Sequence, residues 1–205
     1  MNFEELDKYV TKQLMLDTNV GSLACYRDLK GVPHEYLVLN THDPVRAWIR
    51  LERTGDSDTG SQANNLARWP LIGPSVIKLA QDYAPLDTAI VAMEEANLIC
   101  KPFKVKEKLV FQRDQLPLWR LLHLLKAFRS VVLRYNIYNK NCWFFCSVVI
   151  ENLNEFATSR VKVRKHLSET GTCRNDIRQI FDLVKHQRPE CAQDLRVTSD
   201  PPEGS

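Results

Sequence analysis

Apolar and polar positions along this chain of 205 residues repeat with two different periods. Phe3, Leu6, Val10 and Leu14 recur close to every 3.6 residues and predict a helix from Phe3 to about Leu16. Asp17, Thr18, Asn19 and Gly21 end it. Leu23–Arg27 (LACYR) predicts a short strand. His34–Leu39 (HEYLVL) is aromatic and aliphatic enough for a buried strand. Arg46–Arg53 alternates, which predicts a strand with one wet face. The Thr41–Pro44 turn joins the last two as an antiparallel hairpin. Counting from that turn places His34 across from Arg50–Glu52, to within a residue or two.

Thr54–Asn65 is rich in Gly, Ser, Asp and Asn and predicts a long polar loop. Pro74–Tyr83 predicts a helix started by Pro74 and Ser75. Thr88–Met93 and Lys108–Phe111 predict short strands. Pro117–Leu133 carries one leucine-rich face behind a proline start, the strongest helical signal in the chain. Cys142 to about Phe156 is apolar nearly all round, as a central, buried helix is. Arg160–Thr172 reads as a basic connector, Asn175–Lys185 as an amphipathic helix capped by Asn175, and Val197–Ser205 as a disordered tail. The expected organisation is α+β: an N-terminal helical appendage (1–19), one domain (20–158), a connector with a C-terminal helix (159–196) and the tail (197–205).

Composition narrows the function. The chain is 44% hydrophobic and 26% charged, ordinary for a globular protein, and its net charge of +3 is too mild to point to nucleic acid. The basic Arg160–His166 run reads as a solvated face. The first ten residues carry no apolar signal core, and no run approaches the ~18 apolar residues of a membrane span. The expectation is a soluble cytoplasmic protein, with the nucleus as the alternative. Cys25, Cys100, Cys142, Cys146, Cys173 and Cys191 are then thiols. No CxxC pair exists, and no His follows Cys142 and Cys146 at a finger-like spacing, so neither a metal nor an organic cofactor is expected.

Candidate chemistry concentrates at Tyr135–Phe145, YNIYNKNCWFF. Asn141 suits an N-cap, because its side-chain oxygen accepts from the orphan N–H groups of a first turn. Cys142 then starts the helix, where the macrodipole favours a thiolate. A nucleophilic thiol needs an imidazole beside it. Of His34, His42, His123, His166 and His186, only His34 and His42 belong to the predicted sheet. Only His34 projects from the strand itself. A cysteine in an apolar helix is structural by default, and Cys146, one turn further on, is read that way. Trp48 and Trp69 flank the polar loop as candidate walls of a substrate cleft, against the plainer reading of buried packing.

The run Tyr135-Asn136…Asn141-Cys142…Phe145, behind a strand that starts at His34, resembles the circularly permuted papain-like thiol hydrolases. These comprise the PPPDE peptidases (deSUMOylating isopeptidases) and the lecithin–retinol acyltransferase relatives, kin of the NlpC-type peptidases. Uncharacterised fungal proteins with a Cys-aromatic-Trp-Phe-Ala helix start, a leucine-rich helix upstream and a similar hairpin are closer still. The resemblance covers roughly residues 30–55 and 108–156. It implies a small antiparallel sheet packed on a central helix that begins at the cysteine. It also implies Cys142 as nucleophile, His34 as base, an oxyanion donor at the Asn141–Cys142 helix start, and a cleft near Tyr135. The relatives' third polar residue is His, Asn or Gln. Here the next strand offers Arg50 and Glu52, so Glu52 is named for that role, with His42 as its rival. The implied activity is hydrolysis or acyl transfer at an amide, isopeptide, ester or thioester bond of a protein, peptide or acyl substrate. An inactive module that binds a peptide or protein in the same cleft is the alternative.

Overall fold

Strand-forming segments come early in the chain and the long apolar helices late. A computed structural model, which describes residues 1–12, 17–31, 33–55, 85–99, 101–134, 141–159 and 171–188, assembles them as an α+β fold. The strands are β1 (Val20–Asp28), β2 (Glu35–Thr41), β3 (Trp48–Gly55), β4 (Pro85–Ala92) and β5 (Phe103–Val110). The helices are α1 (Phe3–Lys12), α2 (Leu118–Val131), α3 (Cys142–Leu153) and α4 (Gly171–Val184). Short 3-10 turns cover Glu95–Leu98 and Asn154–Phe156.

All strand pairings are antiparallel and the sheet order is β4-β3-β2-β1-β5. Alternation along the strands separates two apolar layers. Leu23, Leu37, Leu39, Ile49, Leu51 and Leu109 enter the main core, which also takes in the inner faces of α2 and α3. The intervening Ala24, Tyr26, Tyr36 and Val38 form a smaller cluster on the opposite face, closed by Leu98 and Trp48. Phe3 and Leu6 of α1 and Ile177 and Phe181 of α4 are buried in the main core, so the terminal helices share the central packing.

The position of α3 follows from its composition. It contacts β2 and β3, and Phe128 of α2 packs edge-on against Phe145 at 5.2 Å and tilted against Phe144 at 5.8 Å. A helix covered by a sheet and by another helix has little use for a polar face. Its N-cap is as predicted: the Asn141 side chain accepts from Phe144 N at 3.0 Å. Fully buried Arg53 donates to the Val132 carbonyl just after α2, lies 3.5 Å from Asp87 on β4 and places its guanidinium over the Phe128 ring. It ties the end of α2 to the sheet.

Several predicted boundaries move. β5 begins at Phe103, well before Lys108, and β1 extends to Val20 and Asp28. Thr41 belongs to β2, so the hairpin turn starts at His42 and includes a cis Asp43–Pro44 bond. α4 begins at Gly171, so Asn175 sits within the helix and does not cap it. The helix predicted at Pro74–Tyr83, nearly all of the polar loop, most of the basic connector and the predicted tail lie outside the described residues. No helix among the described residues is long and apolar enough to cross a membrane.

Candidate active site

His34 stands one residue before β2, where the sheet runs out. Its carbonyl accepts from Asp28 N at 3.0 Å, which pins the backbone to the end of β1. The β2–β3 register pairs Leu37 with Leu51 and Val38 with Arg50. Carried back along the strands, it sets Tyr36 opposite Glu52 and His34 opposite Thr54. The predicted pairing is therefore about two residues short. Glu52 still reaches the imidazole, because diagonal neighbours on one sheet face lie within range of long side chains. His34 Nε2 and Glu52 Oε2 are 3.0 Å apart.

Other groups fix the Glu52 carboxylate. Arg50 Nη2 donates to the same oxygen, Oε2, at 2.8 Å. The Thr88 hydroxyl on β4 donates to Oε1 at 3.2 Å. Arg50 in turn donates from Nη1 to the Leu98 carbonyl at 2.9 Å, and its guanidinium lies over the Tyr36 ring at 3.8 Å. The Tyr36 ring also stacks with His34, centroids 6.0 Å apart.

Cys142 reaches this constellation from the other layer. Cys142 interacts with the His34 ring at the sheet end, and the same ring faces the Glu52 carboxylate. Burial alone would lower the His34 pKa. Interactions with Cys142 and Glu52 outweigh it and raise the pKa to about 9. Burial likewise works against the Glu52 anion, but His34 and Arg50 together hold its pKa down at about 2. At neutral pH the pair is imidazolium and carboxylate.

The first turn of α3 is partly committed to its cap. Asn141 takes the Phe144 N–H on its side chain and the Phe145 N–H on its carbonyl. The N–H groups of Cys142 and Trp143 are the ones the cap does not use. A groove of about 240 Å³ runs between α3 and the β1–β5 side of the sheet, and neither Cys142 nor His34 lines it. Trp143 and Cys146, which follow Cys142, line it, as do Glu35, which follows His34, and Arg27, Lys106 and Ile150. The Arg27 guanidinium lies over the Trp143 ring at 5.7 Å. Cys146 and Cys25 both line the groove, and the Cys25 thiol approaches Glu35 Oε2 at 3.7 Å. Burial pushes the Cys146 thiol well up, which makes it a packing residue.

Of the residues singled out from sequence, the structure brings Cys142, His34, Glu52 and Asn141 together. It separates two others. His42 lies beyond the opposite end of β2, a strand of seven residues and so roughly 20 Å long, which removes it as a rival to Glu52. Its ring packs over Gly21, where a Cβ would come within 2.0 Å of Nε2. Trp48 packs in the cluster on the second sheet face and does not line the groove. Tyr135 and Trp69 lie outside the described residues. Sequence reasoning passes over Thr88, and it notes Arg50 without giving it a role. The signal for Arg50 is its i, i+2 spacing from Glu52, which puts both on one face of β3. Among the described residues no group of His, Cys, Asp and Glu is arranged to hold a metal ion. Comparison with protein-family models, curated proteins and solved structures finds no match for this chain.

Proposed function

We propose that this chain is a thiol hydrolase or acyltransferase on a permuted papain-like fold. Cys142 is the nucleophile, His34 its acid–base partner and Glu52 the group that orients His34. One observation carries the reading: the His34 ring, whose Nε2 lies 3.0 Å from Glu52 Oε2, also interacts with Cys142 at the start of α3. With the thiol proton held on His34, the sulfur attacks the carbonyl carbon of an amide, isopeptide, ester or thioester. The carbonyl oxygen becomes an oxyanion, held by the Cys142 and Trp143 N–H groups at the start of α3. The imidazolium then protonates the departing amine, alcohol or thiol, which leaves a thioester on Cys142. Water or an acyl acceptor, deprotonated by His34, attacks that thioester and restores the thiol. With Nε2 on Glu52, Nδ1 is the ring nitrogen that serves the sulfur.

The groove lined by Trp143, Arg27 and Glu35, next in the chain to His34, suits part of a peptide, protein or acyl substrate. A second reading, an inactive module that holds such a ligand without cleaving it, draws on the 5% exposure of Cys142. Alkylation by iodoacetamide with the modified residues mapped by mass spectrometry separates the two. The enzyme reading expects fast labelling at Cys142 near neutral pH, lost in Cys142→Ala and slowed at least tenfold in His34→Ala. Equal labelling of wild type and His34→Ala at Cys142 overturns it.

A further inference from the structure

The geometry points to Arg50 as a positioning residue for the His34–Glu52 pair, a role that rests on the thiol chemistry proposed above. Its effect passes through a single atom, Glu52 Oε2, which accepts from Arg50 Nη2 at 2.8 Å and faces His34 Nε2 at 3.0 Å. A carboxylate with only one partner could turn about its last bond. Here the other oxygen is held by Thr88, and Arg50 fixes the Oε2 side.

The guanidinium is itself immobilised from two further directions. Nη1 is bonded to the Leu98 carbonyl, and the group rests over the Tyr36 ring. Its side chain is 13% exposed, so this is no loose surface ion pair. A planar fork with donors in fixed directions can bridge a carbonyl and a carboxylate while stacking on a ring. The ammonium of a lysine cannot do all three. The same Tyr36 ring meets the His34 ring, so one aromatic platform sets the height of both cations above the sheet.

Arg50 has two opposite influences on the imidazolium. As a nearby positive charge it disfavours the His34 proton. As the clamp on Glu52 it favours that proton, by keeping Oε2 aimed at Nε2. A positioning role requires the second to dominate, and this fixes the sign of the test. NMR titration of His34, with its signal assigned by loss in His34→Asn, is compared in wild type, Arg50→Met and Arg50→Lys. Met keeps much of the stem on Tyr36 and removes the fork. The pKa of His34 is expected to fall by about one unit or more in Arg50→Met, a tenfold or larger loss of proton affinity. The iodoacetamide labelling rate of Cys142 at neutral pH is expected to fall with it. Arg50→Lys, with the charge but not the fork, should lie between Met and wild type. A rise in the His34 pKa in Arg50→Met would show that Arg50 acts as a charge alone, and no change would show that it does not act on His34; either overturns the proposal. Failure of the thiol chemistry looks different: Cys142 labelling would then be indifferent to His34→Ala, while the His34 titration would still respond to Arg50→Met.

Discussion

Replacing Glu52 by Gln tests the electrostatic core of the site with little change of shape. His34 is raised from an ordinary 6.5 to about 9, roughly 2.5 units, and one unit corresponds to about 1.4 kcal/mol. The protonated ring is therefore favoured in the folded protein by roughly 3 kcal/mol, shared between Cys142 and Glu52. The amide of the Glu52→Gln variant could still accept a hydrogen bond but would bring no charge, so the His34 pKa should drop by about one to two units. NMR titration of the His34 ring from mildly acidic to alkaline pH reads this directly. The shift also couples to stability. The folded pKa of His34 lies above its unfolded one, so its contribution is complete below about 6.5 and lost as the pH rises through about 9. The folded pKa of Glu52 lies below its unfolded one, so its contribution is complete above about 4.5 and lost as the pH falls through about 2. Between about pH 6.5 and 9 the wild type should thus lose stability relative to Glu52→Gln, as measured by urea unfolding at fixed pH steps. A wild-type His34 that titrates near 6.5, or a Glu52→Gln variant with an unchanged His34 value, would refute the reasoning.

Three further outcomes are expected. Asn141→Ala removes the acceptor for Phe144 N and should cost about 1 kcal/mol, a fall of roughly 2–4 °C in Tm by calorimetry, with Cys142 labelling also slowed by a frayed first turn. Arg53→Met leaves the Val132 carbonyl without its donor and Asp87, whose carboxyl burial already pushes up, with Arg129 alone, and should cost about 2–3 kcal/mol in urea unfolding; a loss under about 1 kcal/mol would mean that the pin to α2 contributes little. His42→Ala should leave Cys142 labelling and its pH profile as in wild type, because His42 lies at the far end of β2, and a tenfold slowing would restore it as a candidate partner.

What could be read from sequence is what local rules determine. The Asn141 cap and the start of α3 at Cys142 depend on a few consecutive residues. The β2–β3 hairpin follows from alternation on both sides of a proline turn. Most of β5 escapes such a reading because FKVKEKLV is an edge strand whose residues are largely exposed, so lysines occupy positions where a central strand would show apolar side chains. The start of α4 is misplaced because Asn175 looks like a cap, while Gly171, four residues earlier, does not announce a helix. Glu52 falls on the expected strand but on a register two residues off, since Thr41 reads as a turn residue yet remains in β2. The roles of Arg50 and Thr88 depend on β3 lying between β2 and β4, a long-range fact that no short window contains.

That register has a consequence for which changes of length the chain can accept. Successive strand residues face opposite sides, so inserting or deleting one residue in β3 ahead of Arg50 would turn Glu52 toward the α3 layer and carry Arg50 with it. The Tyr36 platform would remain, and the carboxylate that faces the imidazole and the guanidinium that clamps it would both be gone. A change of two residues would restore the face but displace Glu52 by about 7 Å along the strand, out of reach of Nε2. The 42–47 connection can vary in length only if both strands keep their pairing. Among descendants of this chain that retain the site, the lengths of β2 and β3 and their pairing should therefore be kept more strictly than the identity of most residues in them.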